Sequence, residues 1–296
     1  MAVPTAPRRL GVLGWPVAHS RSPAMHNAAL LALGMEGWRY QALPVGEELF
    51  EETVRALGAA GFAGANVTIP HKQAALALAD RASDAAREIG AANTLTFEPG
   101  GGIAAENTDA PGLIAALGRL GGLPAHPSAL VLGAGGSARA AVWALLGAGA
   151  REVSVWNRTP ERADAVAREL GARAVNAPVP AELLVNCTSV GLGRSAGEPL
   201  AARPSGPIER SASELAGLNQ LGLTFDQVGK YPYVVDFVYS SDPTPLLVAA
   251  RAHAAGTVDG LEILVEQGAL SLELWTGREA PREVMRRAAE ADDDSA

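Results

Sequence analysis

The chain has a single cysteine, Cys187, so no disulfide can form within it. A lone cysteine in an apolar strand reads as a small core residue. No apolar run approaches the ~20 residues that a membrane-spanning helix needs. Basic residues do not dominate either: 24 Lys and Arg stand against 32 Asp and Glu, for a formal charge of -8. No basic stripe is present to displace counterions, which argues against a nucleic-acid partner. No cluster of His, Cys and carboxylates has metal-ligand spacing, so no metal is expected. Arg8 and Arg9 precede Leu10–Val17 in the manner of a secretion signal, but Gly11, Gly14 and Pro16 interrupt that run. No small-x-small cleavage site follows. The run reads as a first strand and the protein as cytoplasmic, with no membrane partner. Internal repeats are also lacking.

What is present suits folded cores. The 296 residues are 48% hydrophobic and 19% charged, which points to two domains. Strands are expected at Leu10–Gly14, Trp38–Pro44, Ala65–Ile69 and Ala92–Phe97, with helices at Pro23–Leu33, Leu49–Leu57 and Gln73–Ala82 between them. A second alternating series follows the linker Leu123–Ser128: strands at Ala129–Leu132, Glu152–Trp156, Leu183–Cys187 and Val234–Val238, and helices to Leu146 and over Thr159–Leu170. Helices at Pro245–Ala255, Leu261–Trp275 and Arg282–Ala291 end the chain, and Arg194–Tyr233 is irregular. Such alternation implies an α/β fold with parallel sheets covered on both faces.

Gly133-Ala134-Gly135-Gly136-Ser137-Ala138 lies between a strand and a helix and has the G-x-G-x-x-A form of a dinucleotide fingerprint. Glycines allow a tight turn and close approach of pyrophosphate, and the helix start offers free N–H groups. An NAD site would place Asp or Glu near the end of the next strand. Here Asn157, Arg158 and Thr159 stand there, with Arg162 one turn on. Arginine at the positive end of a helix dipole is unfavourable without an anion. These residues therefore read as a clamp for a 2′-phosphate, and the cofactor as NADP.

Three polar clusters occupy the first hundred or so residues. In Asn66-Val-Thr68-Ile-Pro-His-Lys72, alternation puts Asn66 and Thr68 on one face of a strand that should be apolar throughout. Lys72 then opens a helix, against the dipole. In Ser20-Arg-Ser22-Pro23, Ser22 reads as an N-cap with proline at the first helical position. Asn93-Thr94 and Glu106-Asn-Thr-Asp109 form the third cluster, and Asp109 also has the look of an N-cap. Composition does not separate capping from catalysis at these positions. His71 reads as structural, because helix neighbours do not face each other.

Together, Ser20-Arg-Ser22-Pro, Asn66-Val-Thr-Ile-Pro-His-Lys72, Gly90-Ala-Ala-Asn93-Thr, Asn107-Thr-Asp109, Gly133-Ala-Gly-Gly, Asn157-Arg-Thr, Asn186-Cys-Thr-Ser, Asp259-Gly260, Gln267 and Trp275-Thr-Gly resemble the shikimate dehydrogenase family. They occur in family order over most of the chain. The resemblance implies reversible NADPH-dependent reduction of 3-dehydroshikimate to shikimate, in aromatic amino-acid biosynthesis. It implies Lys72 and Asp109 as the catalytic pair, and Ser20, Ser22, Asn66, Thr68, Asn93, Tyr239 and Gln267 around the substrate. The cofactor set it implies is Gly133 to Ala138, Asn157, Arg158, Thr159, Arg162, Thr188 and Gly260. The implied organisation is a substrate-binding and catalytic domain with a mostly parallel sheet (1–106) and a Rossmann-like NADP-binding domain (107–244). C-terminal helices (245–296) would return to the first domain, in a monomer or homodimer. Ser240-Ser241 stands where the family has Asn-Pro, Ile263 where it has a methionine, and Arg194–Tyr233 is longer than usual. A dual-specificity quinate/shikimate enzyme, a non-catalytic NADP-binding module, and by fold analogy a folate or amino-acid dehydrogenase are the alternatives.

Overall fold

The computed structural model describes residues 8–121, 123–192, 212–240 and 242–291, with the backbone alone for 212–214. Contacts along the chain divide it into two units, Met1–Ala116 with Leu261–Ala296, and Leu117–Gly260.

The first unit opens with β1 (Arg9–Gly14), α1 (Ser22–Ala32), β2 (Arg39–Pro44), α2 (Phe50–Leu57) and β3 (Phe62–Val67). Strand β1 pairs in parallel with both β2 and β3. Leu10 and Val12 join one core with Met25 and Leu30 of α1, while Leu13 joins the opposite core with Phe50 and Val54 of α2. This is the two-sided burial that alternation along a covered strand produces. Simple alternation then breaks down. The expected helix Gln73–Ala82 is a short α3 (Lys72–Ala77) and an edge strand β4 (Arg81–Ala82). Ser83 restarts the chain as α4 (Asp84–Ile89), its hydroxyl accepting from Ala86 N–H at 3.0 Å, and left-handed Gly90 ends that helix. Strands β5 (Thr94–Phe97) and β6 (Ile103–Glu106) follow, and then α5 (Asp109–Leu117). The sheet runs β2-β1-β3-β5-β6-β4, with β5 antiparallel to its neighbours and the other pairs parallel.

This topology collects the polar clusters. Leu13 pairs with Val67, Asn66 with Thr94, and Thr94 with Glu106. The ends of β1, β3 and β6 and the start of β5 therefore share one end of the sheet. Every one of the three clusters hangs from that end.

In the second unit come β7 (Ser128–Leu132), α6 (Gly136–Gly147), β8 (Glu152–Trp156), α7 (Pro160–Leu170), β9 (Arg173–Ala174) and β10 (Leu183–Asn186). Then follow α8 (Ala212–Gln220), α9 (Phe225–Val228), β11 (Tyr233–Asp236), α10 (Pro245–Ala252) and β12 (Gly256–Val258). All pairs are parallel, in the order β12-β11-β10-β7-β8-β9. That is the doubly wound order of dinucleotide-binding sheets, with its switch point between β7 and β10. Residues 194–211 of the irregular stretch lie outside the described residues, as does Ser241.

Helices α11 (Gly260–Thr276) and α12 (Arg282–Ala291) return to the first unit. Val265, Ala269, Leu272, Met285 and Ala289 enter the core with Leu10 and Met25. The unit boundaries differ from the expected ones. The first falls after Ala116 rather than residue 106, because α5 lies against α11: a Cβ on Gly112 would sit 2.9 Å from the backbone nitrogen of Gln267. The second falls after Gly260 rather than 244, because α10 packs on β11 and β12. No helix among the described residues is long and apolar enough to cross a membrane.

Candidate active site

The first unit brings Lys72 and Asp109 together across the ends of β3 and β6. Lys72 is the first residue of α3, and its ammonium forms an ion pair with Asp109 Oδ2. Both side chains are nearly buried, at 11% and 7% exposure, so the pair sits in a low-dielectric setting. The expected N-cap role of Asp109 is taken by Asn107, whose Oδ1 accepts from Ala110 N–H at 3.2 Å. That leaves both carboxylate oxygens of Asp109 for other partners. Its Oδ1 accepts from Asn93 Nδ2 at 2.8 Å.

Asn93 is held at both ends. Thr108 N–H donates to its Oδ1 at 2.7 Å. Its Nδ2 faces three acceptors: Asp109 Oδ1, Thr108 Oγ1 at 2.9 Å and Gln267 Oε1 at 3.1 Å. An amide has two protons, so the most distant acceptor, Gln267 Oε1, keeps capacity for a ligand hydroxyl. The Nε2 of Gln267 is already donated to Leu264 O at 2.9 Å. Asn66 is more fully committed. Tyr40 donates its hydroxyl proton to Asn66 Oδ1 at 2.8 Å, and Asn66 Nδ2 donates to Ser271 Oγ at 2.8 Å and faces Asn93 O and Thr94 Oγ1 at 3.2 Å.

Two further corrections concern the other clusters. Ser22 is not the N-cap of α1; it is the first helical residue, and the N-cap position falls on Arg21 without a side-chain bond. The backbone N–H of Ser22 instead meets Ser20 Oγ at 3.3 Å. Thr68 lies one residue beyond β3, which ends at Val67 rather than Ile69, and is half-buried. The Ser22 and Thr68 hydroxyls bond no described residue. His71 is structural: its Nε2 meets Val45 O at 2.7 Å and its ring stacks on Phe50 at 4.2 Å. His26, fully buried, lies between Ser22 O and Gly268 O and stacks on Tyr40 at 4.1 Å. Burial drives its pKa down to about 4, against those two carbonyls, which raise it.

In the second unit the glycine turn sits at the switch point of the sheet. Gly133 has φ +109°, and a Cβ there would lie 3.2 Å from the Cys187 carbonyl, so only glycine suits it. Gly135 is the extended N-cap of α6, and nothing lies within 4 Å of where its Cβ would be. Ala134 and Gly136 to Ala138 complete the turn and the first helical residues. The open backbone at a 12-residue helix start fits the pyrophosphate of a dinucleotide. Thr159 is the N-cap of α7 with proline next, and its side chain makes no capping bond. Arg158 and Arg162 are exposed, with no ion pair to any described residue, while Asn157 Nδ2 donates to Thr159 O at 2.9 Å.

Beside this turn lies a polar set that sequence reasoning missed. Asp236 ends β11 fully buried; Asn186 Nδ2 donates to it at 2.8 Å, Val238 N–H at 3.0 Å and the Thr244 hydroxyl at 2.6 Å. Burial pushes its pKa up to about 6, with nearby Asp259 adding to the rise and the three hydrogen bonds opposing it. Asn186 Oδ1 in turn accepts from Thr188 N–H at 3.0 Å and from its hydroxyl at 2.8 Å. Thr188 and the loop bearing half-buried Tyr239 are thus both tied to Asp236. Gly260 closes the far side of that loop, where a Cβ would meet Phe237 O at 2.5 Å. A carboxylate inside the apolar run Val234–Val238 was the available signal. No group of His, Cys and carboxylates among the described residues could hold a metal.

The chain matches the shikimate dehydrogenase substrate binding domain over residues 12–95, the shikimate / quinate 5-dehydrogenase model over 121–187, and the shikimate 5′-dehydrogenase C-terminal domain over 260–290. It is 43% identical to the NADP(+) shikimate dehydrogenase of Acidiphilium cryptum over 278 residues, 91% of each chain. It is 44% identical to that of Thermus thermophilus over 271 residues, 91% of this chain and 92% of the other. The solved Thermus thermophilus shikimate 5-dehydrogenase in complex with NADP(H) and shikimate superposes with a TM-score of 0.78 at 41% identity, covering 95% of this chain and 98% of that one. With matches of this extent running through both units, the chain belongs to the shikimate dehydrogenase family.

Proposed function

We propose that this protein reduces 3-dehydroshikimate reversibly to shikimate with NADPH, in the cytoplasm, as a step of aromatic amino-acid (chorismate) biosynthesis. The observation that carries the reading is the buried ion pair of Lys72 and Asp109, with Asn93 on the second carboxylate oxygen. NADPH, when bound, supplies a hydride to the ketone carbon. The carbonyl oxygen then develops alkoxide charge and needs a proton. Lys72 donates that proton from its ammonium in reduction, and accepts the hydroxyl proton in oxidation. Asp109 holds the amine in place and balances its charge in either direction. Partial burial of the pair strengthens its field at the reacting oxygen, since less water screens it.

The free hydroxyls of Ser22 and Thr68, the hydroxyl of Ser20 and the spare Oε1 of Gln267 supply polar contacts suited to a small polyhydroxy acid. Asn66 acts on the substrate mainly through its neighbours, since its amide is already bonded. Tyr239 is assigned to the substrate by the family resemblance alone. Gly133 to Ala138 receive the pyrophosphate, Asn157, Arg158, Thr159 and Arg162 the 2′-phosphate, and Thr188 and Gly260 the nicotinamide half.

Absorbance of NADPH, followed with NADP and either shikimate, quinate or no acid, tests the reading. NADPH is expected to form with shikimate and not without an acid. Turnover of quinate at a comparable rate would make the enzyme dual-specific. NADP binding with turnover of neither acid would refute catalysis in favour of a binding module.

A further inference from the structure

Ser271 lies one helical turn after Gln267 on α11, fully buried, in a place the reaction itself does not call on. Its Oγ is 2.8 Å from Asn66 Nδ2, 2.8 Å from Thr94 Oγ1, 3.1 Å from Thr108 Oγ1 and 3.0 Å from Gln267 O. Thr94 and Thr108 Oγ1 are 3.2 Å apart, so three hydroxyls from β5, the turn before α5 and α11 close a triangle. One side chain of α11 thus touches residues at the end of β3, at the start of β5 and in the turn after β6.

Donor and acceptor chemistry fixes the two amides of this cluster. Asp109 in its ion pair only accepts, and Thr108 N–H only donates, so the Asn93 amide has one orientation. Asn93 O only accepts, so Asn66 turns its Nδ2 that way and its Oδ1 toward the Tyr40 hydroxyl. Ser271 receives a proton from Asn66 Nδ2 and donates its own to Gln267 O one turn earlier, while its oxygen also meets the Thr94 hydroxyl at 2.8 Å. Thr94 in turn faces Asn93 Oδ1 at 3.2 Å, and Asn93 Nδ2 donates to Asp109. Hydrogen bonds thus run without a break from Tyr40 through Asn66, Ser271, Thr94 and Asn93 to the carboxylate that holds Lys72.

We propose that Ser271 is a positioning residue: it joins Tyr40, Asn66 and Thr94 into a continuous hydrogen-bond relay that fixes the Asn93 amide, and so holds the Asp109–Lys72 pair aligned for proton transfer. The proposal rests on the ketone-reductase reading of that pair. Loss of the hydroxyl removes the shortest contact of both Asn66 Nδ2 and Thr94 Oγ1 and leaves them only partners at 3.2 Å, so both amides are held less firmly. A small misplacement beside a reacting centre is enough to lower turnover about 10–100-fold.

The test uses the full chain with shikimate and NADP. Ser271→Ala is expected to lower kcat about 10–100-fold with the KM for NADP unchanged. Thr94→Val, which keeps shape and loses the hydroxyl, is expected to do the same, and Thr94→Ser to return kcat close to wild type. In 15N-labelled protein, the Asn93 side-chain amide protons are expected to exchange slowly in wild type and faster in Ser271→Ala. Wild-type kcat in Ser271→Ala, or Thr94→Ser no better than Thr94→Val, would overturn the relay. Should Ser271→Ala fail to fold, the Thr94 pair decides. An inactive wild type would remove the ketone-reductase reading, and amide exchange, read by comparing wild type with Thr94→Val where needed, would still judge the relay.

Discussion

His26 and Asp236 are buried titratable groups whose effects on stability oppose each other over the same pH range. His26 has its pKa lowered from 6.5 to about 4 by burial. As pH falls below 6.5 the unfolded chain takes a proton there that the folded one refuses, so stability is lost between pH 6.5 and about 4. At about 1.4 kcal/mol per pH unit, this amounts to about 3 kcal/mol. Asp236 has its pKa raised from 3.8 to about 6, again by burial. The folded chain then binds the extra proton, so stability rises by about 3 kcal/mol as pH falls from about 6 to 3.8. The two nearly cancel in the wild type, and each substitution exposes the other. His26→Gln is expected to hold up better between pH 7 and 4.5 than wild type, and Asp236→Asn worse, whatever offset each shows at pH 7. Urea unfolding at the two pH values measures this, with the transitions of the two units read separately where they part. If His26→Gln lost as much stability as wild type on acidification, the imidazole would not be kept neutral by its burial, and the reasoning would fail.

Other expectations follow from single contacts. Arg158→Ala is expected to weaken NADP about 10–100-fold while leaving NAD affinity alone, as a charge-assisted bond of about 1.5–3 kcal/mol implies; fluorescence titration with both nucleotides checks it. Gly133→Ala places a side chain at φ +109° and 3.2 Å from the Cys187 carbonyl, so NADP binding is expected to fall sharply in calorimetry with shikimate binding kept. Gly112→Ala forces α5 away from Gln267, and a loss of about 1–3 kcal/mol in thermal unfolding is expected, together with a higher KM for shikimate. Unaltered stability there would mean the two helices yield easily.

The alternation of apolar runs was enough to place four strands of each six-stranded sheet, though not β6 or the antiparallel pairing of β5, and the glycine turn with its missing carboxylate was enough to choose NADP. Polar residues at strand ends pointed to the cluster that brings Lys72, Asp109 and Asn93 together, because buried strands are otherwise apolar. What stayed hidden has physical causes. The edge strands Arg81–Ala82, Arg173–Ala174 and Gly256–Val258 span two or three residues, too few for any periodicity. Ser22 and Asp109 both carried the composition of a cap, yet Ser22 is already helical behind an Arg21 that makes no side-chain cap bond, and Asn107, two residues before Asp109, caps α5. Tyr40 and Ser271 lie 26 and 205 residues from Asn66, and a local pattern holds no record of such meetings. Only Ser271, at i+4 from Gln267 on a helix face, left a trace that spacing could have caught.

Steady-state oxidation of shikimate by Lys72→Ala, with NADP affinity measured on the same sample, bears most directly on the central assignment. Turnover at least about 100-fold below wild type is expected, with NADP bound as tightly as before and the protein folded. Turnover within a few-fold of wild type would contradict it, because the alkoxide would then be finding its proton elsewhere.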